Sequence, residues 1–121
     1  MGQIGLAGKE HKLMSITVNL YYHGMKGSAR AFAEEMEQSG LADEIRAEDG
    51  NLCYRYYLPL DDPETVLLID RWRDQDAIDR HHASPMMKRI AQLREKYDLH
   101  MTVERYTSAD MPESDNSFIR K

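Results

Sequence analysis

The hydrophobic positions of this chain follow two periods, one typical of strands and one typical of helices. Residues 15–23, SITVNLYYH, carry apolar or aromatic side chains at every second position, which predicts a first strand. After a glycine-containing turn, apolar residues recur at spacings of three and four, which predicts an amphipathic helix capped by Ser28. Gly40 is expected to interrupt this helix before its apolar face continues to about Ala47.

The second part of the chain predicts two strands, two helices and a final strand. An Asp-Gly turn precedes the alternating segment NLCYRYYLPL, and the turn DDPE separates it from the apolar segment VLLIDRWR, so we expect an antiparallel pair. Asp74 can cap the next helix, and Ser84 with Pro85 can begin another one. Residues 99–107, LHMTVERYT, read as the last strand, which completes the order β-α-β-β-α-α-β.

This order predicts a ferredoxin-like α+β fold, in which four strands form one antiparallel sheet and the helices cover one of its faces. Residues 14–107 would form this domain, between a leader over residues 1–13 and a polar tail over residues 108–121. The first and third strands carry apolar side chains on both sides, so one helical layer leaves an apolar sheet face uncovered. Face-to-face pairing of two sheets in a homodimer would cover it, and the alternative is a monomer whose tail folds over it.

The third predicted strand combines apolar, aromatic and acidic side chains on one side. Strand residues two apart point the same way, so one face is formed by Val66, Leu68, Asp70 and Trp72. A carboxylate among apolar groups indicates a partly polar internal pocket. His81 follows on the inward stripe of the next helix, and it is the best candidate for a base because imidazole titrates near neutral pH. Structural roles stay open for all three polar or aromatic groups: Trp72 as core, Asp70 in a salt bridge, and His81 as a hydrogen-bonded core residue.

Two further sets of side chains on the predicted strands are candidates for a site. Asn19 lies in the middle of the first strand, where an amide is unusual and must find partners if it is buried. It could donate a hydrogen bond to a substrate or peroxide oxygen, or it could bind neighbouring backbone at a bulge. Some of the strand tyrosines must line either the pocket or the second sheet face, and alternation does not separate Tyr21, Tyr22, Tyr54, Tyr56 and Tyr57.

Composition excludes several classes of partner. The chain has 16 Lys and Arg against 21 Asp and Glu, a net charge of −5, and its basic residues are scattered, so no nucleic-acid partner is expected. No run approaches the roughly 18 apolar residues of a membrane span, and the single cysteine agrees with a reducing compartment, so we expect a cytoplasmic protein. No Cys/His spacing typical of a metal site occurs, and the adjacent His81 and His82 would diverge by about 100° on a helix.

The segment over residues 48–87 resembles the signature region of the antibiotic biosynthesis monooxygenase superfamily. The shared pattern is a glycine-containing turn, a tyrosine-bearing strand, a strand that ends in acid-x-Trp, and a histidine nine residues later; its positions here are Gly50, Tyr54, Asp70, Trp72 and His81. The resemblance extends over residues 16–106, and the nearest branch is that of the quinol monooxygenases. In the family Glu is more frequent where this chain has Asp70, whose side chain is shorter by one methylene.

The resemblance implies a homodimer of the dimeric α/β barrel type that works without a cofactor and oxidises a quinol or polyhydroxylated aromatic with molecular oxygen. In this interpretation His81 is the catalytic base and Asp70 orients it, whereas Trp72, Asn19 and Tyr54 bind the substrate. Because fold alone does not determine function, two alternatives remain. One is a non-catalytic dimeric module that binds an aromatic metabolite or a protein partner, and the other is an isomerase of a small carbonyl compound.

Overall fold

The computed structural model describes residues 14–121, in which four antiparallel strands form one sheet in the order β2-β3-β1-β4. The strands are β1 (Ile16–His23), β2 (Asn51–Tyr57), β3 (Thr65–Trp72) and β4 (His100–Thr107), and the helices are α1 (Ser28–Gln38), α2 (Leu41–Arg46), α3 (Gln75–His82) and α4 (Met86–Lys96). A 3₁₀ helix, Glu113–Phe118, lies in the tail. The predicted ferredoxin-like α+β fold is thereby confirmed, while the predicted leader lies outside the described residues.

The pairing of β1 with β3 decides which side chains share a face of the sheet. Ile16 lies opposite Trp72 and Val18 opposite Asp70, so these side chains point to the same side. This inner face packs against the helices, and the strand positions between them point to the outer face. The inner face therefore combines the apolar residues of β1 with the acid and the indole of β3.

The hydrophobic core lies between the helices and the inner face of the sheet. Helix α1 buries Phe32 completely, and its ring packs against Tyr22 with ring centroids 4.9 Å apart. Helix α3 buries Ala77, Ile78 and His81. His81 follows Ile78 by three positions and Ala77 by four, so all three side chains lie on the same side of the helix. The histidine is thus part of the buried side of an amphipathic helix, as its position in the sequence predicts.

The N-terminus of α1 is held differently from the prediction. Gly27, with φ 80°, occupies the N-cap position, and the Ser28 hydroxyl accepts a hydrogen bond from the backbone of Met25 instead of capping the helix. The carboxylate of Glu64 accepts hydrogen bonds from the backbone N–H groups of Lys26 at 2.6 Å and Gly27 at 2.8 Å. A negative charge at this position favours the helix N-terminus, so the loop between β2 and β3 fixes α1.

Two of the predicted helix signals are confirmed. Gly40 separates α1 from α2 with φ 83°, a left-handed conformation that glycine adopts without steric cost. Asp74 caps α3, because its side chain accepts a hydrogen bond from the backbone N–H of Ala77 at 2.9 Å. Both signals act through local backbone geometry, which is why the sequence alone reveals them.

The predicted capping role of Ser84 is wrong. Pro85 occupies the N-cap position of α4, and the Ser84 hydroxyl donates back to the carbonyl oxygen of His81 at 2.7 Å. Ser84 therefore closes the end of α3 rather than beginning α4. As a result, the backbone of His81 is fixed at the point where its side chain enters the core.

The outer face of the sheet has an apolar surface that the described residues leave partly exposed. Tyr21 and Leu67 lie opposite each other, and Ile69 follows on the same face, all three half-buried. In the tail, Phe118 is 88 % exposed and is not buried against this face. Within the described part of the chain no helix has the length and apolar character needed to cross a membrane.

Candidate active site

A cavity of about 320 Å³ lies between the inner face of the sheet and the helices α3 and α4. Its apolar walls come from both layers and include Val18, Leu20, Leu68, Ile78, Met87 and Ile90. Four of the residues predicted for a site line it, namely Tyr54, Asp70, Trp72 and His81. The cavity thus has apolar walls with a few polar groups, the composition expected of a small-molecule site.

His81 is held in place by an acid that the sequence analysis did not single out. Its Nδ1 atom lies 2.6 Å from a carboxylate oxygen of Glu48, which sits just after α2. The expected pairing of Asp70 with His81 is therefore wrong, because Glu48 occupies the position of the orienting acid. Within residues 14–121 no group hydrogen-bonds the other ring nitrogen, Nε2.

The environment keeps His81 neutral near physiological pH. Burial lowers the pKa of His81 below its ordinary value, and this effect outweighs the hydrogen bond and charge of Glu48, which raise it. In the neutral ring one nitrogen carries a proton and the other accepts one. Since a carboxylate only accepts, Nδ1–H donates to Glu48, and Nε2 is left as an acceptor.

Trp72 confines the imidazole on its other side. The indole is 1 % exposed, and its ring centroid lies 4.8 Å from that of His81 with the planes tilted by 30°. This near-parallel arrangement leaves the histidine ring little rotational freedom between the indole and Glu48. Trp72 therefore fills the core and also forms part of the cavity wall.

Asp70 is a buried carboxyl group with an unusual proton affinity. Burial raises the pKa of Asp70 to about 7, and the nearby charge of Glu48 adds to the rise. The Trp72 indole N–H and the Asn51 side chain, 3.5 Å from the carboxylate, favour the charged form but do not offset burial. Near neutral pH this group can therefore give up or take a proton.

Tyrosine hydroxyls form a second polar layer beside the carboxyl group. The hydroxyls of Tyr54 and Tyr56 are 3.0 Å apart, and burial raises the pKa of Tyr54 well above its ordinary value. The Tyr22 hydroxyl accepts a hydrogen bond from Arg94 at 2.9 Å. These phenols stay protonated, so they can act as hydrogen-bond donors in this part of the core.

Asn19 does not reach this cavity. It pairs with Ile69 on β3 and with Glu104 on β4, and all three point to the outer face of the sheet. Its Oδ1 atom is buried and has no hydrogen-bond partner within the described residues. The expectation that Asn19 lies in the same pocket as Trp72 is thus not met, because the two residues occupy opposite faces.

Two residues that sequence reasoning missed, Glu48 and Arg94, are central to the geometry. Glu48 lies 33 positions before His81, immediately ahead of the Asp-Gly turn, and Arg94 lies on α4 and lines the cavity. A charged residue on the apolar side of an amphipathic helix was the available signal for Arg94. No group of three or more metal-binding side chains occurs in the stretch that the structure covers.

A second, more open groove of about 600 Å³ lies between α1 and the edge strand β2. Tyr54 borders both spaces, but the groove contains neither His81 nor Asp70. Its charged residues are mostly paired with one another, as in the 2.5 Å contact between Arg46 and Glu37. The groove therefore lacks the combination that marks the inner cavity, namely a histidine with one unpaired ring nitrogen inside an apolar enclosure.

Solved structures share this fold. A conserved protein from Methanosarcina mazei Go1 matches with a TM-score of 0.71 and 22 % identity, over 84 % of this chain and 99 % of that one. PA3566 from Pseudomonas aeruginosa matches with a TM-score of 0.69 and 24 % identity, over 83 % and 99 %. SnoaB from Streptomyces nogalater, described as a cofactor-independent oxygenase, matches with a TM-score of 0.67 and 15 % identity, over 83 % and 98 %.

A search among curated proteins gave no match. The sequence model of the family described as antibiotic biosynthesis monooxygenase matches residues 15–93, which is more than half of the chain. This segment contains β1 to β3 and most of the inner cavity, including the tyrosine, the acid, the indole and the histidine described above. The chain belongs to the antibiotic biosynthesis monooxygenase family.

Proposed function

We propose that this protein is a cofactor-independent monooxygenase that oxidises a quinol or a polyhydroxylated aromatic with molecular oxygen. The observation that carries the proposal is the neutral imidazole of His81, held by Glu48 and facing an apolar cavity with Nε2 free among the described residues. Membership of a family that includes cofactor-independent monooxygenases supports it.

The first step is removal of a proton from a phenolic hydroxyl. His81 accepts this proton at Nε2, and Glu48 stabilises the imidazolium that forms because its carboxylate lies against Nδ1. The resulting phenolate is far richer in electrons than the phenol and can reduce oxygen. Confinement by Trp72 keeps Nε2 oriented to one point of the cavity.

The second requirement is a proton for the reduced oxygen. With its pKa raised to about 7, Asp70 carries a proton in a large fraction of molecules at neutral pH and can donate it to a peroxide leaving group. In the overall reaction, a quinol and O₂ yield a hydroxyquinone and water. One oxygen atom replaces a ring hydrogen, the other leaves as water, and the substrate supplies all four electrons.

The apolar walls have a third role, which is to exclude bulk water from the phenolate and from oxygen. Leu68 and Ile90 are almost fully buried, and both line the cavity. An anion that is not solvated by water is more reactive, and intermediates in a dry site are protected from side reactions. Trp72 and Tyr54 would contact the aromatic ring of the substrate from the same walls.

The active protein is proposed to be a homodimer formed through the outer face of the sheet. Tyr21, Leu67 and Ile69 form an apolar surface there that the described residues do not cover. Apolar surfaces of this kind are rarely left in water by soluble monomers. A second copy is the partner of matching shape and chemistry.

The test is oxygen uptake with a panel of reduced quinones and polyhydroxylated aromatics, compared between the natural protein and its His81→Ala variant. We expect a loss of at least about a hundredfold in kcat, the range typical of a removed general base. Lys88→Ala is the control, because Lys88 is exposed on α4, beside the cavity, but does not line it. The proposal fails if no substrate is oxidised faster by the natural protein than by His81→Ala. Conversion of a carbonyl compound without oxygen consumption would instead indicate an isomerase.

A further inference from the structure

The inner cavity carries positive charge that the proposed chemistry does not use. Arg94 on α4 and Arg105 on β4 both line it, although the chain as a whole has a net charge of −5. Neither guanidinium forms a salt bridge within residues 14–121, whereas several arginines outside the cavity do, such as Arg73 with Asp49 and Arg89 with Glu44. The cavity lining therefore holds two positive charges without a salt-bridge partner among the described residues.

Arg94 has an unmet hydrogen-bonding group in the interior. Its Nη2 donates to the Tyr22 hydroxyl, and its charge lies over the Tyr22 ring at 5.5 Å from the centroid. Its Nε atom is buried and has no hydrogen-bond partner within the described residues. A buried donor without a partner is unfavourable, and it shows that the protein itself does not satisfy this guanidinium. A ligand in the cavity can reach Arg94 through Nη1, which forms no hydrogen bond within the described residues and, unlike Nε, is not closed off from solvent.

Arg105 occupies a different part of the same cavity. It lies opposite Val18 on the exposed edge strand β4, and it donates a hydrogen bond to the side-chain oxygen of Gln75 on α3. It therefore spans from the sheet edge to the helix at the cavity rim. Because its partner is neutral, its charge is available to attract an approaching anion.

We propose that Arg94 binds a carboxylate of the aromatic substrate, so that the substrate is a hydroxylated aromatic acid rather than a neutral quinol. The inference rests on the proposed function, since it places the substrate in the same cavity as His81. A permanent anion fits better than a transient phenolate, because the positive charge of Arg94 has no salt-bridge partner among the described residues when the substrate enters the cavity. Arg105 likewise acts on charge that the ligand already carries outside the protein.

The test compares pairs of ligands that differ only in this charge. The probes are 2,5-dihydroxybenzoate with 2,5-dihydroxybenzamide, and 1,4-dihydroxy-2-naphthoate with its amide, titrated calorimetrically without oxygen so that no turnover occurs. We expect each acid to bind about tenfold to a hundredfold more tightly than its amide, the range of one charge-assisted hydrogen-bonded pair. The inference is overturned if no acid of the panel binds better than its amide to the natural protein.

Variants locate the effect. Arg94→Gln should abolish the preference for the acids, Arg94→Lys should keep part of it, and Arg105→Gln should reduce it a few-fold and weaken its salt dependence. Arg89→Gln on the same helix is the control, because Arg89 is exposed and paired with Glu44. An acid preference that survives Arg94→Gln in a folded protein would also overturn the assignment.

The binding and turnover results fail independently. A clear acid preference without oxygen consumption would leave the ligand class intact and refute the monooxygenase. Oxidation of neutral quinols with equal binding of acids and amides would support the monooxygenase and refute the proposed ligand class.

Discussion

Replacement of Asp70 by Asn provides a direct thermodynamic test of the buried acid. The pKa of Asp70 rises from 3.8 to about 7, and about three units at 1.36 kcal/mol per unit correspond to about 4 kcal/mol of pH-dependent stability. The group is 8 % exposed, so solvent screens it little. Asparagine has nearly the same shape but no titration, so the variant removes this contribution and little else.

The sign of the effect follows from proton binding. Between pH 4 and pH 7 the folded protein holds a proton on Asp70 that the unfolded chain has released, so wild-type stability falls as the pH rises through this window. His81 acts in the opposite direction, because its lowered pKa makes the fold less stable as the pH drops below about 6.5. When the free energy of unfolding of the variant is subtracted from that of the natural protein at each pH, the histidine contribution cancels and that of Asp70 remains.

The assay is urea unfolding of both proteins at half-unit steps from pH 4 to pH 8. As the pH rises across this range, we expect the free energy of unfolding of Asp70→Asn to increase by about 4 kcal/mol relative to that of the natural protein, with nearly all of the change below pH 7.5. Asp61→Asn serves as a control, because Asp61 is exposed in the turn before β3. A difference between the two proteins that stays constant within about 1 kcal/mol from pH 4 to pH 8 would refute the raised pKa and with it the proton-donor role.

Three further changes test the orienting acid, the turns and the outer face. Glu48→Gln should lower kcat about tenfold to a hundredfold with little change in KM, and steady-state kinetics with unchanged kcat would contradict its role. Gly40→Ala should lower the free energy of unfolding, measured with urea, by about 1 kcal/mol. Gly50→Ala should lower it clearly more, because its new Cβ would lie 2.5 Å from that of Ala77. Equal losses of stability in the two variants would contradict the steric argument. Ile69→Asp should turn a dimer into a monomer in sedimentation experiments, and an unchanged mass would rule out the outer-face dimer.

Elements and their order were predictable because each one is encoded locally. The alternation in β1 and the helical spacing of α1 depend on nearby residues only, and Gly40 and Asp74 act through the backbone around them. The errors at Ser28 and Ser84 have different causes. At Ser28, local sequence does not reveal that Glu64, from a distant loop, already holds the N-terminus of α1. At Ser84, the hydroxyl donates to the carbonyl oxygen of His81 at the end of α3 and so does not cap α4.

The face of the sheet on which Asn19 lies could be predicted from the alternation of side chains along β1. Asn19 belongs to the set opposite Ile16 and Val18, and those apolar residues had to face the helices together with Trp72. Consistent use of the two-residue period would therefore have placed Asn19 on the outer face from the sequence. Only its pairing with Ile69 and Glu104 required the register, which depends on the whole sheet.

Glu48 is the part of the site that lay beyond sequence reasoning. An acid two residues before a turn glycine resembles any solvated loop residue, and 33 positions separate it from His81. The contact forms because the turn at Gly50 and the β2–β3 pair bring the end of α2 beside α3. From the sequence, Asp70 is the expected orienting acid, since it lies near Trp72 on the predicted pocket face. The structure instead gives the two acids different environments: Glu48 contacts His81, while burial raises the pKa of Asp70 to about 7. In the proposed mechanism these environments correspond to different roles, because Glu48 orients the histidine that accepts a proton, whereas Asp70 donates one.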